Sequence, residues 1–62
     1  MENKLKEMRQ EKKISQEQVA IQICISKSYY CNLENNKKTP SLEIAFRLAC
    51  FFNTTLEELF TD

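Results

Sequence analysis

The side chains best suited to chemistry in this chain are Lys27, Ser28, Tyr29 and Asn32, which follow Ser26 in a run ending Leu33-Glu34-Asn35. At helical spacing they bring a cation, a hydroxyl and an amide to the first turns of one helix. Lysine donates to guanine O6 and N7, asparagine pairs bidentately with adenine, and serine suits either. Short polar and basic side chains in this order are what reading the edges of DNA bases requires. Lys27 also gains nothing from its helix, because a cation at a helix N-terminus opposes the dipole by about 0.3–1 kcal/mol. The plainer reading of Lys27 is a solvated surface lysine.

The same inventory argues against catalysis. The chain has no histidine, no glycine and an odd number of cysteines, Cys24, Cys31 and Cys50, none in a CxxC pair. A zinc site, a base beside a thiol, a glycine loop for phosphate and paired carboxylates in a recognisable cleft are all missing from the pattern. No enzyme, metal, cofactor or small-molecule substrate is expected. The cysteines read as small apolar or surface residues, with a redox role for Cys24, Cys31 or Cys50 left open.

Formal charge is zero over 62 residues, but it is unevenly placed. Residues 1–38 carry eight bases against five acids, a net +3, and residues 39–62 carry Arg47 against four acids, a net −3. A basic contact face with an acidic far end produces such a split. The longest apolar run, Leu48 to Phe52, is far too short to span a bilayer, and no secretory apolar segment precedes it. The expectation is a cytoplasmic protein with no membrane partner.

A chain of this length has room for one domain, burying roughly 60% of the surface its unfolded form exposes. Without glycine and with one proline it reads as all-α, a compact five-helix bundle. The first helix spans about Asn3 to Lys12 with Leu5 and Met8 inward, and Ile14 tucks under the next. The second starts at a capping box, Ser15 with Gln18, and turns Val19, Ala20 and Ile23 inward. Cys24-Ile25 is the turn and Ser26 the N-cap of the third helix. There Tyr30 and Leu33 share an inward face. A stacking role for the tyrosines is the competing idea, with Tyr29 at the outer edge. Asn35-Asn36 closes the third helix, because asparagine tolerates the left-handed conformation. Pro40-Ser41 opens the fourth, which runs to about Phe52, and Asn53 stops it. Thr55 with Glu58 is a second capping box, opening a fifth helix that ends near Phe60.

The ordered pieces resemble the Cro/phage-repressor, or Xre-like, helix-turn-helix domains. They are Leu5-Lys6-Glu7-Met8-Arg9, Ser15-Gln16-Glu17, Ser26-Lys27-Ser28-Tyr29-Tyr30, Leu33-Glu34-Asn35, Pro40-Ser41-Leu42 and Leu56-Glu57-Glu58-Leu59-Phe60. The resemblance covers residues 1–62 as a single domain. It implies operator binding, usually as a homodimer, with helices 2 and 3 as the helix-turn-helix and the third helix in the major groove. Lys27, Ser28, Tyr29 and Asn32 then become base contacts. Gln16, by its matching position, becomes a backbone contact, joined by Ser26, Asn36, Lys37 and Lys38. Loop lysines fit phosphate clamps that set register without reading sequence, or plain solubility. Arg9 and Glu34 match the ion pair that ties the first helix to the end of the third.

Three positions where such domains usually carry glycine hold Cys24, Asn36 and Asn53. A left-handed Cys24 costs about 1–2 kcal/mol, so the turn is either strained or of another geometry. The fourth helix adds a partner argument. Leu42, Ala45, Leu48, Ala49 and Phe52 suffice for a core face, yet Ile44, Phe46, Cys50 and Phe51 are apolar too. A helix apolar nearly all round is covered on more than one side. The expected covering is a second copy of the chain on a patch of Ile44, Phe51, Leu59 and Phe60. The function expected is a sequence-specific, double-stranded-DNA-binding transcriptional regulator, a homodimeric repressor of a near-palindromic operator. The alternative is a protein–protein module, or an antitoxin-type binder of both DNA and a protein partner.

Overall fold

Four of the five helices begin at a side-chain hydroxyl. In the computed structural model, which describes residues 3–60, these are α1 (Leu5–Glu11), α2 (Gln16–Gln22), α3 (Lys27–Glu34), α4 (Leu42–Phe51) and α5 (Leu56–Leu59). Ser15, Ser26, Ser41 and Thr55 each accept the backbone N–H three residues on, supplying a partner for an otherwise orphaned donor. At Ser15 the box is complete, since its own N–H donates to Gln18 Oε1 at 2.8 Å. The expected second box is only half formed. Glu58 lies 3.3 Å from the Thr55 hydroxyl rather than reaching back to the Thr55 backbone. The first helix is shorter than expected because Asn3 stands outside it, accepting from the Leu5 N–H at 3.0 Å.

The helix ends repeat one device. Lys13, Cys24, Asn36 and Asn53 have φ of 57°, 62°, 59° and 54°, each just past the C-cap of α1, α2, α3 and α4. Each donates its N–H back to the third residue before it, and the next N–H reaches back five. Examples are Cys24 to Ile21 O with Ile25 to Ala20 O, and Asn36 to Leu33 O with Lys37 to Asn32 O. This is the Schellman closure, made here four times without glycine. The turn at Cys24 therefore keeps the left-handed geometry and bears its cost, and Lys13 does likewise. Replacing either by glycine removes about 1–2 kcal/mol of steric cost and adds about 0.5–1 kcal/mol of unfolded-state entropy. At the middle of these ranges the net gain is about 0.75 kcal/mol per site, so Lys13→Gly and Cys24→Gly together should raise the melting temperature by about 6–12 °C, followed by circular dichroism; an unchanged midpoint would refute this reading of the turns.

Inside, Leu5, Val19, Ala20, Ile23, Tyr30, Leu33, Leu48, Ala49, Phe52 and Leu59 form one cluster. Met8 and Ile14 pack against it half-buried, as expected, and the two ends of the described chain meet where the Lys4 N–H donates to Leu59 O at 2.9 Å. Tyr30 is wholly buried, which settles it as core and leaves no face for stacking.

Two expectations about the apolar surface fail. Leu59 is fully buried and cannot belong to an exposed patch, because α5 turns it into the core beneath α4. Leu42, expected in the core, is 68% exposed, with Phe46 at 55% one turn on. Ile44 and Phe51 are half-buried against the core. Phe51 also lies edge-on to Phe52 and beneath the Lys12 ammonium, away from the Leu42 stripe.

Candidate nucleic-acid interface

The third helix divides its faces by burial. Tyr30, Leu33 and Glu34 are buried, Lys27 and Ser28 are exposed, and Tyr29, Cys31 and Asn32 are half-buried between them. Of the four proposed base contacts Lys27 and Ser28 are thus the accessible ones, with Asn32 half-buried one turn on, while Tyr29 packs partly against the core. Ser26 accepts the Tyr29 N–H at 3.0 Å, which leaves its own O–H available as a donor.

What holds α3 at its angle is an ion pair between α1 and α3. Arg9 Nε donates to Glu34 Oε2 at 2.6 Å, Nη2 lies 3.3 Å from Oε1, and Nη1 donates to Ile14 O at 3.0 Å. The Glu34 side chain is 2% exposed. Burial works to raise its carboxyl, but the hydrogen bonds from Arg9 and Gln16 outweigh that and hold it below the ordinary carboxylate range. The bond to Glu34 leads in raising the Arg9 guanidinium, against burial. Burial and the neighbouring Glu34 push the Tyr30 phenol above its ordinary value. Its buried hydroxyl finds no partner at hydrogen-bonding geometry among the described residues. The expected Arg9–Glu34 pair is therefore present, and it is more enclosed than a surface bridge.

Gln16 sits in the first turn of α2, as expected, but its amide is already engaged. Nε2 donates to Glu34 Oε1 at 3.2 Å and lies 3.7 Å from Cys31 Sγ. Its nitrogen carries two hydrogens, one given to Glu34 and the other aimed at Cys31, so a phosphate contact from this side chain takes the place of the weaker Cys31 contact. Asn36 is similarly committed. Its Oδ1 accepts from Asn3 Nδ2 at 2.9 Å while its backbone closes α3, so it shapes the loop that carries Lys37 and Lys38. Both lysines are exposed.

Two residues that matter to this arrangement have no role in the sequence reading. Asn3 also donates to Leu33 O at 2.8 Å, linking the start of the chain to α3 across 30 positions. Arg47 donates from Nη1 to Ile23 O at 3.2 Å and from Nη2 to Glu43 Oε2 at 2.7 Å. The only sequence signal for Arg47 is the Glu43–Arg47 i,i+4 spacing, which says nothing of Ile23.

Among the described residues no group of three His, Cys, Asp or Glu is placed to hold a metal, and no helix is long and apolar enough to cross a membrane. Two short helices meeting at a left-handed turn, the second packed by one side and bare on the other, define a helix-turn-helix DNA-binding domain of the Cro/repressor type. Residues 5–59 match the family model described as helix-turn-helix, and the chain belongs to that family of DNA-binding transcriptional regulators. It is 43% identical over 61 residues to the control protein C.MunI of a Mycoplasma species, covering 97% of this chain and 82% of that protein. A helix-turn-helix-type transcriptional regulator of Methanocaldococcus jannaschii is 37% identical over 60 residues, covering 97% and 91%. Among solved structures, the restriction-modification controller protein C.AhdI from Aeromonas hydrophila superposes with a TM-score of 0.82 at 32% identity, covering 90% of this chain and 85% of that one.

Proposed function

We propose that this protein is a homodimeric regulator that reads a near-palindromic operator by inserting α3 into the major groove of double-stranded DNA. The observation that carries the reading is the bare side of α3, where Lys27 and Ser28 are exposed with Asn32 one turn on. Base discrimination falls to Lys27, Ser28, Tyr29 and Asn32. Lys37, Lys38 and Ser26 hold the backbone, and Gln16 joins them by giving a phosphate the amide hydrogen now aimed at Cys31. The second copy sits on the stripe Leu42–Phe46 and the apolar depression beside it, lined by Pro40, Leu42, Ala45, Leu56 and Phe60. Such dimers place two recognition helices about 34 Å apart. Occupying promoter DNA makes the protein a repressor. Its likeness to C.MunI and to the restriction-modification controller C.AhdI favours control of restriction-modification genes.

Selection from random duplexes, followed by titration of the winning site across salt concentrations, tests this. The expected result is a two-fold-symmetric motif with a steep salt dependence. Lys27→Ala and Asn32→Ala should each lower affinity by about 1–3 kcal/mol and relax preference at one position of each half-site. Lys37→Ala and Lys38→Ala should weaken all sequences alike and reduce the salt slope by about 1 for each phosphate no longer neutralised. Absence of any enriched motif would refute operator reading. A second reading, a protein-binding module or antitoxin, draws on Ile21, which is 64% exposed on α2 beside a groove lined by Ile14, Gln18 and Phe51.

A further inference from the structure

We propose that Arg47 is a positioning residue for DNA reading: from α4 it grips the carbonyl that begins the turn into α3 and so sets the pose of the base contacts. The proposal rests on α3 being the reading helix, and it concerns a residue on neither the α3 face nor its loop.

The turn runs from Ile23, the C-cap of α2, to Ser26, the N-cap of α3. The last carbonyls of any helix lack intrahelical partners. Here the Schellman closure takes up those of Ala20 and Ile21, through Ile25 and Cys24. The Ile23 carbonyl lies beyond the reach of that closure, and Arg47 Nη1 supplies its donor at 3.2 Å across 24 positions. A cation there also suits the negative end of α2. Glu43, one turn earlier on α4, holds the other side of the guanidinium at 2.7 Å, so the fork is oriented before it meets the turn. Among the described residues this is the side-chain hydrogen bond that joins α4 to the helix-turn-helix. Three residues, Cys24, Ile25 and Ser26, separate the gripped carbonyl from Lys27. The next residue after Ile23 is Cys24, held at φ 62°, where glycine would sit without strain. A strained turn of this kind needs its path determined from outside, and Arg47 does so. The helix that bears Arg47 also bears the exposed pair Leu42 and Phe46, so the second copy and the reading helix are referred to one rigid element.

The experiment compares Arg47→Met, which keeps the stem and removes the donors, with Arg47→Lys, which restores one donor, on the operator selected above. Arg47→Met should lose about 10-fold or more in affinity for the operator, in line with removal of a charged hydrogen bond. Its affinity for random duplex should be almost unchanged, as should its salt slope. Arg47→Lys should recover most of the loss. In the free protein, amide exchange at Cys24 and Ile25 should quicken in Arg47→Met while that of Leu59 stays as in the parent. Equal loss on operator and random DNA with a slope lower by about 1 would make Arg47 a phosphate contact and overturn the proposal. Parent-like operator affinity in Arg47→Met would also overturn it, and so would failure of Arg47→Lys to recover binding if Arg47→Met does not fold. If the parent selects no operator, the reading of α3 fails first and the role of Arg47 in DNA binding falls with it. Quickened exchange confined to Cys24 and Ile25 would then leave the grip itself standing as structural only.

Discussion

Replacing Arg9 by methionine should come close to unfolding this protein. The substitution leaves the Glu34 carboxylate, with a side chain 2% exposed, facing the Tyr30 hydroxyl and the Gln16 amide without its cation. Breaking a buried pair from one side costs about 3–5 kcal/mol. A domain of this size has a total stability of about 3–9 kcal/mol at the usual value per residue. The melting temperature should drop by about 12–40 °C. The double variant Arg9→Met/Glu34→Leu should recover most of the loss, because an apolar pair of similar volume removes the charge that needed a partner. Urea titration of the three proteins gives the comparison, and a loss below about 1 kcal/mol in Arg9→Met would show that Glu34 is not held by Arg9. The same pair sets an acid limit. Glu34 is held below its ordinary value in the folded state, so the unfolded state binds more protons as pH falls. Its contribution is complete above the ordinary carboxylate range and is lost as pH falls through the folded value. Glu34→Gln should accordingly be less stable than the parent at neutral pH, with the gap closing in acid.

The other large effect is expected on α4. Leu42→Glu/Phe46→Glu should produce a folded monomer, because both side chains lie outside the core at 68% and 55% exposure. Two reading helices joined in one dimer act at high effective concentration on a symmetric site, an advantage of about 10²–10⁴ in affinity. The variant should lose that much on the full operator and keep its preference for a single half-site. Sedimentation equilibrium and operator titration measure the two halves of the claim. A dimer that survives both glutamates would move the interface elsewhere, and Ile21→Glu on α2 is then the informative variant. Leu59 is no probe of this surface. Leu59→Ala would open a cavity and destabilise by about 2–5 kcal/mol, whatever the oligomer.

The two predictions differ in how much of their basis is visible in the sequence. The Arg9–Glu34 pair follows from resemblance, and its side chains lie where that resemblance places them. Which apolar residues of α4 stay exposed does not follow. Periodicity tells which residues share a side of a helix, but it does not say how far along the helix that side is covered. Of Leu42, Ala45, Leu48, Ala49 and Phe52, the last four are buried as expected, and Leu42 in the first turn is left outside. Gln16 shows a second limit. Its place in the first turn of α2 is evident, but the direction of its amide depends on the distance to Glu34, a residue of another helix.

By itself the sequence determined the local grammar of this protein. Ser15, Ser26 and Ser41 as helix starts, asparagine as a left-handed stop at 36 and 53, and the inward stripes of α2 and α3 each depend on residues within a few positions. The helix-turn-helix character rests on that grammar alone. Tertiary structure decided that Leu42 is left uncovered, where Leu59 goes, which partner Gln16 takes, and that Arg47 and Asn3 reach backbone carbonyls 24 and 30 positions away. Those outcomes depend on the separation and tilt of whole helices, which core packing sets collectively and no local spacing of residue types encodes.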